Sequence, residues 1–135
     1  MIAAGATAEI VLEVRYEDTA HALSVLADDT FPEVLATSRM IALMELAAAK
    51  LLRPLLGRGE LSVGVTVDIR HTAATPVGGH VRAVATYAGP EGKLHRFRVE
   101  AFDDAGPIGA GEHTRAIIAA QRLEAGAARR RAPAR

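Results

Sequence analysis

The chain has 135 residues, half of them apolar, with only five aromatic side chains, no cysteine, and sixteen basic residues balanced by sixteen acidic ones. This length fits one domain, and the composition excludes a disulfide scaffold, a cysteine nucleophile and cysteine-ligated zinc. Zero net charge argues against a dedicated nucleic-acid binder; no apolar run is long enough for a membrane helix, and the expected compartment is the reducing cytoplasm.

Residues 9–16 alternate, with Ile10, Leu12, Val14 and Tyr16 on one face and Glu9, Glu13 and Arg15 on the other, which predicts a half-buried strand. Residues 17–36 contain Asp28, Asp29 and Pro32 and read as a loop with room for one short helix near 20–27. Residues 38–53 are rich in Ala, Leu, Met, Glu and Lys, all good helix formers. Thr37 or Ser38 can cap this helix, and Pro54 and Gly57 end it. Its apolar stripe is expected to hold Ile41, Met44, Ala48, Leu52 and Leu55, with Glu45 as the one charge among them.

Four strand patterns follow. In 62–70, Val63, Val65, Val67 and Ile69 oppose Ser62, Thr66, Asp68 and Arg70. Residues 80–88 align Val81, Ala83, Ala85 and Tyr87, and residues 93–103 align Phe97, Val99 and Ala101. The last strand, 107–119, carries Gly109 and Gly111, which signal a bulge or a close backbone approach. Short turns between these strands make them antiparallel neighbours. The expected fold is α+β: a five-stranded antiparallel sheet wrapped around one long helix, with a second copy of the chain completing a small core. Residues 1–121 read as the domain. Residues 122–135 hold five Arg and one Glu and read as a basic, flexible tail.

Nucleotide-binding glycine loops, HExxH and GxSxG are absent, so several common chemistries lose their signatures. Three other positions attract attention. A carboxylate on an apolar helix face, Glu45, either makes a structural ion pair or has its basicity tuned for chemistry. His71 continues the parity of Val67 and Ile69, so it points toward the helix, either as a satisfied core histidine or as an acid, base or hydrogen-bond donor. Thr37 is either a simple cap or a hydroxyl at the positive end of the helix, where developing negative charge is stabilised. Thr37 and Glu45 stand roughly 12 Å apart along one helix, so joint action requires a second protomer or a bend. Phe31 anchors the loop or walls a substrate. His21, His80, His95 and His113 lack metal-ligand spacing and read as solvated or structural.

The segments FPEVLATSRMIALMELAAAKLL (31–52), GVTVDIRHTAATPVGG (64–79) and GPIGAGEHTRAII (106–118) resemble the fluoroacetyl-CoA thioesterase-like family of the hotdog-fold thioesterases. The resemblance implies a dimeric hotdog fold that hydrolyses an acyl-CoA to free acid and CoA, without metal or cofactor, at sites on the protomer interface. It implies catalytic roles for Thr37, Glu45 and His71, substrate contacts from Gly64 and Phe31, and a place for Arg115 near the entrance. Arg39 and Leu46 stand where the resembled enzyme has an aromatic residue and a tryptophan, which implies a different lining of the acyl pocket. An acyl-CoA binding module without catalysis and an enoyl-CoA hydratase or dehydratase are the competing functions on the same fold.

Overall fold

The computed structural model describes residues 1–131. It contains strands β1 (Thr7–Glu13), β2 (Glu60–His71), β3 (His80–Glu91), β4 (Leu94–Asp103) and β5 (Gly106–Ala119), with helices α1 (Thr37–Leu52) and α2 (Ala120–Arg129). The strands form one antiparallel sheet in the order β1-β3-β4-β5-β2. The expected wrap of one sheet around one long helix is present, but β2 pairs with β5 and not with β3, the strand that follows it in the chain, because the 72–79 connection is long enough to cross from one to the other. Among the described residues no helix is long and apolar enough to cross a membrane.

The alternating patterns of the sequence drive this packing. Val81, Ala83, Ala85, Phe97, Val99 and Ala101 are all buried, as are Met40, Leu43, Met44, Ala47, Ala48 and Leu52 of α1. Alanines on the inner faces of β3 and β4 give the helix room to lie close, and its methionines fill the remaining irregular space. The buried stripe is rotated from the expected one: Met40, Leu43 and Ala47 join it, while Ile41 is only half-buried. That rotation carries Glu45 to the edge of the stripe.

Strand β2 departs from simple alternation. Gly64 pairs with Arg115 and Thr66 with Thr114, so Val65 is an extra residue with no cross-strand partner. This bulge reverses the parity of the strand. Before it, Ser62 and Gly64 face the helix side, contacting Arg115 and Glu45. After it, Ile69 and His71 do so. The expectation that Val63 and His71 share one face is therefore wrong for Val63 and right for His71. Gly109 and Gly111 mark a close approach: a Cβ on either would overlap the backbone of β2 at Arg70 or Asp68.

The expected short helix near 20–27 is replaced by turns, and a single 3₁₀ turn forms earlier, at Tyr16–Asp18. The stretch after Ala119, expected to hold one helical turn at most, is helical through Arg129. Its alanines, Gln121, Arg122, Leu123 and Glu124 favour helix on propensity alone, since none of its residues is buried. The last four residues of the expected tail, 132–135, lie outside the described residues.

Candidate active site

Two polar clusters lie along α1. The first is at its N-terminal end. Ala36 is extended and Thr37 is the first helical residue; no side chain caps the helix. The Thr37 hydroxyl goes elsewhere: Thr37 Oγ1 and His71 Nδ1 are hydrogen-bonded at 2.8 Å. The capping role is thus replaced by a contact between residues 34 positions apart. Local pairing makes this contact. Leu35 N–H donates to the Thr75 carbonyl at 2.9 Å and Thr72 N–H to the Ile108 carbonyl at 2.7 Å. The Thr75 hydroxyl in turn donates to Asp103 Oδ2 at 2.8 Å. These bonds dock the 72–76 turn against the segment entering α1, so the end of β2 meets the start of the helix.

His71 has an unspent atom. Its Nε2 is buried and lacks a hydrogen-bond partner within the described residues, a condition that costs free energy unless a partner completes it. Thr37 and His71 open on a groove of about 390 Å³ walled by Ala20, Pro32, Val34 and Ala73. A neighbouring hollow is lined by Phe31, Leu23 and Thr37, so Phe31 stands exposed at the side of the hydroxyl. The first amides of α1 lack helical acceptors and bring partial positive charge to this end.

The second cluster sits two turns along the helix. Arg115 Nη1 donates to Glu45 Oε2 at 3.1 Å, and its Nε and Nη2 donate to Ser62 Oγ at 3.1 Å and to the Ser62 carbonyl at 2.9 Å. Arg115 is 7 % exposed and lies beneath Glu45, lining one surface hollow with it. Burial lowers its pKa, and the Glu45 carboxylate acts against that shift. Glu45 is not the poorly solvated group its helical position suggests: its side chain is 38 % exposed and ion-paired. Gly64 is fitted to this arrangement, because a Cβ there would overlap Glu45 Oε2. Within one chain, then, Thr37 meets His71, and Glu45 meets Gly64 and Arg115, but the two groups do not meet each other.

His113, one of the histidines expected to be solvated or structural, belongs to this second cluster. It is buried, 4.0 Å from Glu45 Oε2 through Nε2, and in contact with Arg115. The period-two line of His113, Arg115 and Ile117 in the last strand carried the signal for its inward orientation. Arg39, which lines a surface hollow with Glu45, donates through Nε to the buried Asp18 at 2.9 Å.

This geometry can be set beside known proteins. Residues 14–121 match the fluoroacetyl-CoA-specific thioesterase family. The fluoroacetyl-CoA thioesterase of Streptantibioticus cattleyicolor is 42 % identical over 95 residues, covering 70 % of this chain and 68 % of that protein. A solved structure of the fluoroacetyl-CoA thioesterase FlK superposes with a TM-score of 0.92 at 33 % identity, covering 98 % of this chain and 99 % of that one. A Thermus thermophilus thioesterase superfamily member superposes with a TM-score of 0.85 at 33 % identity, covering 96 % and 93 %. The match spans the helix, both polar clusters and all of the sheet beyond β1, so the chain belongs to the fluoroacetyl-CoA-specific thioesterase family and is a hotdog-fold thioesterase.

Proposed function

We propose that the chain hydrolyses a small or medium acyl-CoA to the free acid and CoA, in the cytoplasm, as a homodimer in which each active site takes one cluster from each protomer. The observation that carries this reading is the Thr37–His71 hydrogen bond beside an unpartnered His71 Nε2. In this reading the pair is one half of an acid–base relay that still needs an acceptor at Nε2. Glu45 is the carboxylate available to supply one.

The edge of the sheet suggests how the halves meet. Strand β2 is an outer strand with one free edge, and Val65 and Val67 on it are 51 % and 45 % exposed. A long, apolar free edge is a template for pairing. Antiparallel pairing of two β2 strands centred on Asp68 sets Ile69 opposite the partner subunit's Val67. Past the bulge, it sets His71 opposite the partner subunit's Gly64, against which Glu45 rests. All of these pairs share a face, as antiparallel neighbours must.

In the reaction, Thr37 Oγ1 attacks the thioester carbonyl carbon while its proton passes to His71 Nδ1. The partner subunit's Glu45 accepts from His71 Nε2–H and stabilises the imidazolium. Amides at the start of α1 stabilise the oxyanion. The C–S bond breaks and the CoA sulfur leaves with the proton from His71. Water then cleaves the acyl-threonine ester, restoring the hydroxyl. In a direct route the same pair takes its proton from water and no ester forms. Rapid quench with mass spectrometry separates the two.

Thiol release from acetyl-, fluoroacetyl-, phenylacetyl- and medium-chain CoA esters tests the activity; no release from any of them contradicts it. The strand pairing has its own test. The chain has no cysteine, and directly opposed residues have Cα atoms about 4.5–5.5 Å apart, within disulfide reach. Oxidised D68C should run at about 28 kDa, twice 14.2 kDa, and S24C at the monomer mass. A dimer in solution without cross-linking of D68C would exclude this register.

A further inference from the structure

His113 is the buried titratable group that the proposed reaction leaves unused. It lies on β5 opposite Val67, 2 % exposed, with its ring 6.2 Å from that of Phe97. Its two nitrogens face different partners. Nδ1 is 2.8 Å from the Thr66 carbonyl oxygen, which can only accept, so Nδ1 carries the proton. Nε2 is 3.2 Å from Arg115 Nη1, which can only donate, so Nε2 presents its lone pair. The neighbours on both sides select one neutral tautomer. A proton on Nε2 would set a second cation against the guanidinium. Burial is the largest influence lowering the His113 pKa; the Thr66 carbonyl and Glu45 oppose it, and the Arg115 charge adds to it.

The consequence falls on Arg115. Its Nη1 is shared between His113 Nε2 and Glu45 Oε2, while Nε and Nη2 are spent on Ser62. Ser62 fixes one edge of the guanidinium plane, and His113 fixes the direction of the nitrogen that grips Glu45. Thr66, which anchors His113, directly follows the β2 bulge, so the bulge sets the height of the imidazole as well as the position of Gly64.

We propose that His113 is a positioning residue of the thioesterase site: by accepting a hydrogen bond from Arg115, it holds the guanidinium in the orientation that clamps Glu45 Oε2 and leaves Oε1 for the reaction. This rests on the reading of Glu45 given above. An imidazole that merely fills space between β2 and Phe97 would not depend on an acceptor at Nε2.

The test uses the full-length chain with two variants that differ in reach. In H113Q the side-chain oxygen reaches the place of Nε2 and can accept from Arg115. In H113N the amide reaches only the place of Nδ1 and can serve Thr66 alone. Thiol release gives kcat and KM, circular dichroism gives Tm, and ¹⁵N NMR of the substrate-free protein follows the Arg115 Nε–H signal. The expected result is that H113Q keeps kcat within about threefold and keeps the Arg115 signal. H113N should lose the signal and lower kcat by at least ~10-fold with little change in KM, the scale of a loosened supporting contact. Equal losses in both variants, losses that only track Tm, or a parental kcat in H113N would overturn the proposal. If the parent protein itself releases no thiol, the thioesterase reading fails, and the NMR comparison still decides whether His113 holds Arg115.

Discussion

The two polar clusters on α1 use their hydrogen-bonding capacity in opposite ways. At the N-terminal end, an exposed threonine hydroxyl meets a histidine whose second nitrogen has no partner. In the middle of the helix, Arg115 has every nitrogen engaged, on Glu45, His113 and Ser62. One cluster is open and incomplete; the other is packed and satisfied. Buried polar groups stay unpaired only at a cost, so the open pair is a place where structure gives way to chemistry or to a partner. The satisfied cluster is rigid enough to present a carboxylate at a fixed height. A site assembled from both would combine a reactive pair with a preorganised charge.

The largest effects should come from removing the groups proposed to react. H71A and E45Q are each expected to lower kcat/KM for acyl-CoA hydrolysis by at least ~10²-fold, the usual scale for lost acid–base help, or about 2.7 kcal/mol. E45Q should remain folded and dimeric by circular dichroism and light scattering, because its volume barely changes. Parental turnover by folded E45Q would reduce Glu45 to a structural partner of Arg115. An intermediate effect is expected at Gly64. Its backbone tolerates alanine, yet the added methyl would displace Glu45 Oε2 and press on His113. G64A should therefore lower kcat by about 10-fold or more through a misplaced carboxylate, with Tm nearly unchanged; an unaffected kcat would show that the height of Glu45 does not matter.

The smallest effect separates the clusters by pH. His113 has a lowered pKa in the folded chain, so below its ordinary value of 6.5 the unfolded chain binds more protons than the folded one. Stability then rises with pH and is lost as pH falls below that value. H113Q should flatten part of this acid-side decline in Tm. A decline of equal steepness in H113Q would place its origin elsewhere.

Much of this was legible in the chain. The strand periods of Ile10–Val14, Val81–Tyr87 and Phe97–Ala101 and the helix formers of 38–53 are local signals, and the fold follows them closely. Thr37, Glu45 and His71 stood out as polar groups at positions that packing alone does not explain. What escaped was set by non-local pairing. The extra residue Val65 leaves an unbroken valine alternation in the sequence, and only its register against β5 turns Gly64 toward Glu45. His113 looked ordinary because its meaning depends on Arg115 beside it and on Thr66 across the sheet. Helix α2 escaped for the opposite reason: none of its residues is buried, so no core contact marks it out from a solvated basic tail.

Whether each active site draws Thr37 from one protomer and Glu45 from the other is decided by mixing two variants that are each expected to be inactive. T37A and E45Q are denatured together, refolded and assayed for thiol release. In the mixed dimer, the E45Q protomer brings an intact Thr37 and the T37A protomer an intact Glu45, so one of the two sites is whole. Random pairing makes half of the dimers mixed, so a shared site should recover about one quarter of the parental rate. Activity no higher than the average of the two variants alone would contradict it and return both clusters to a single chain.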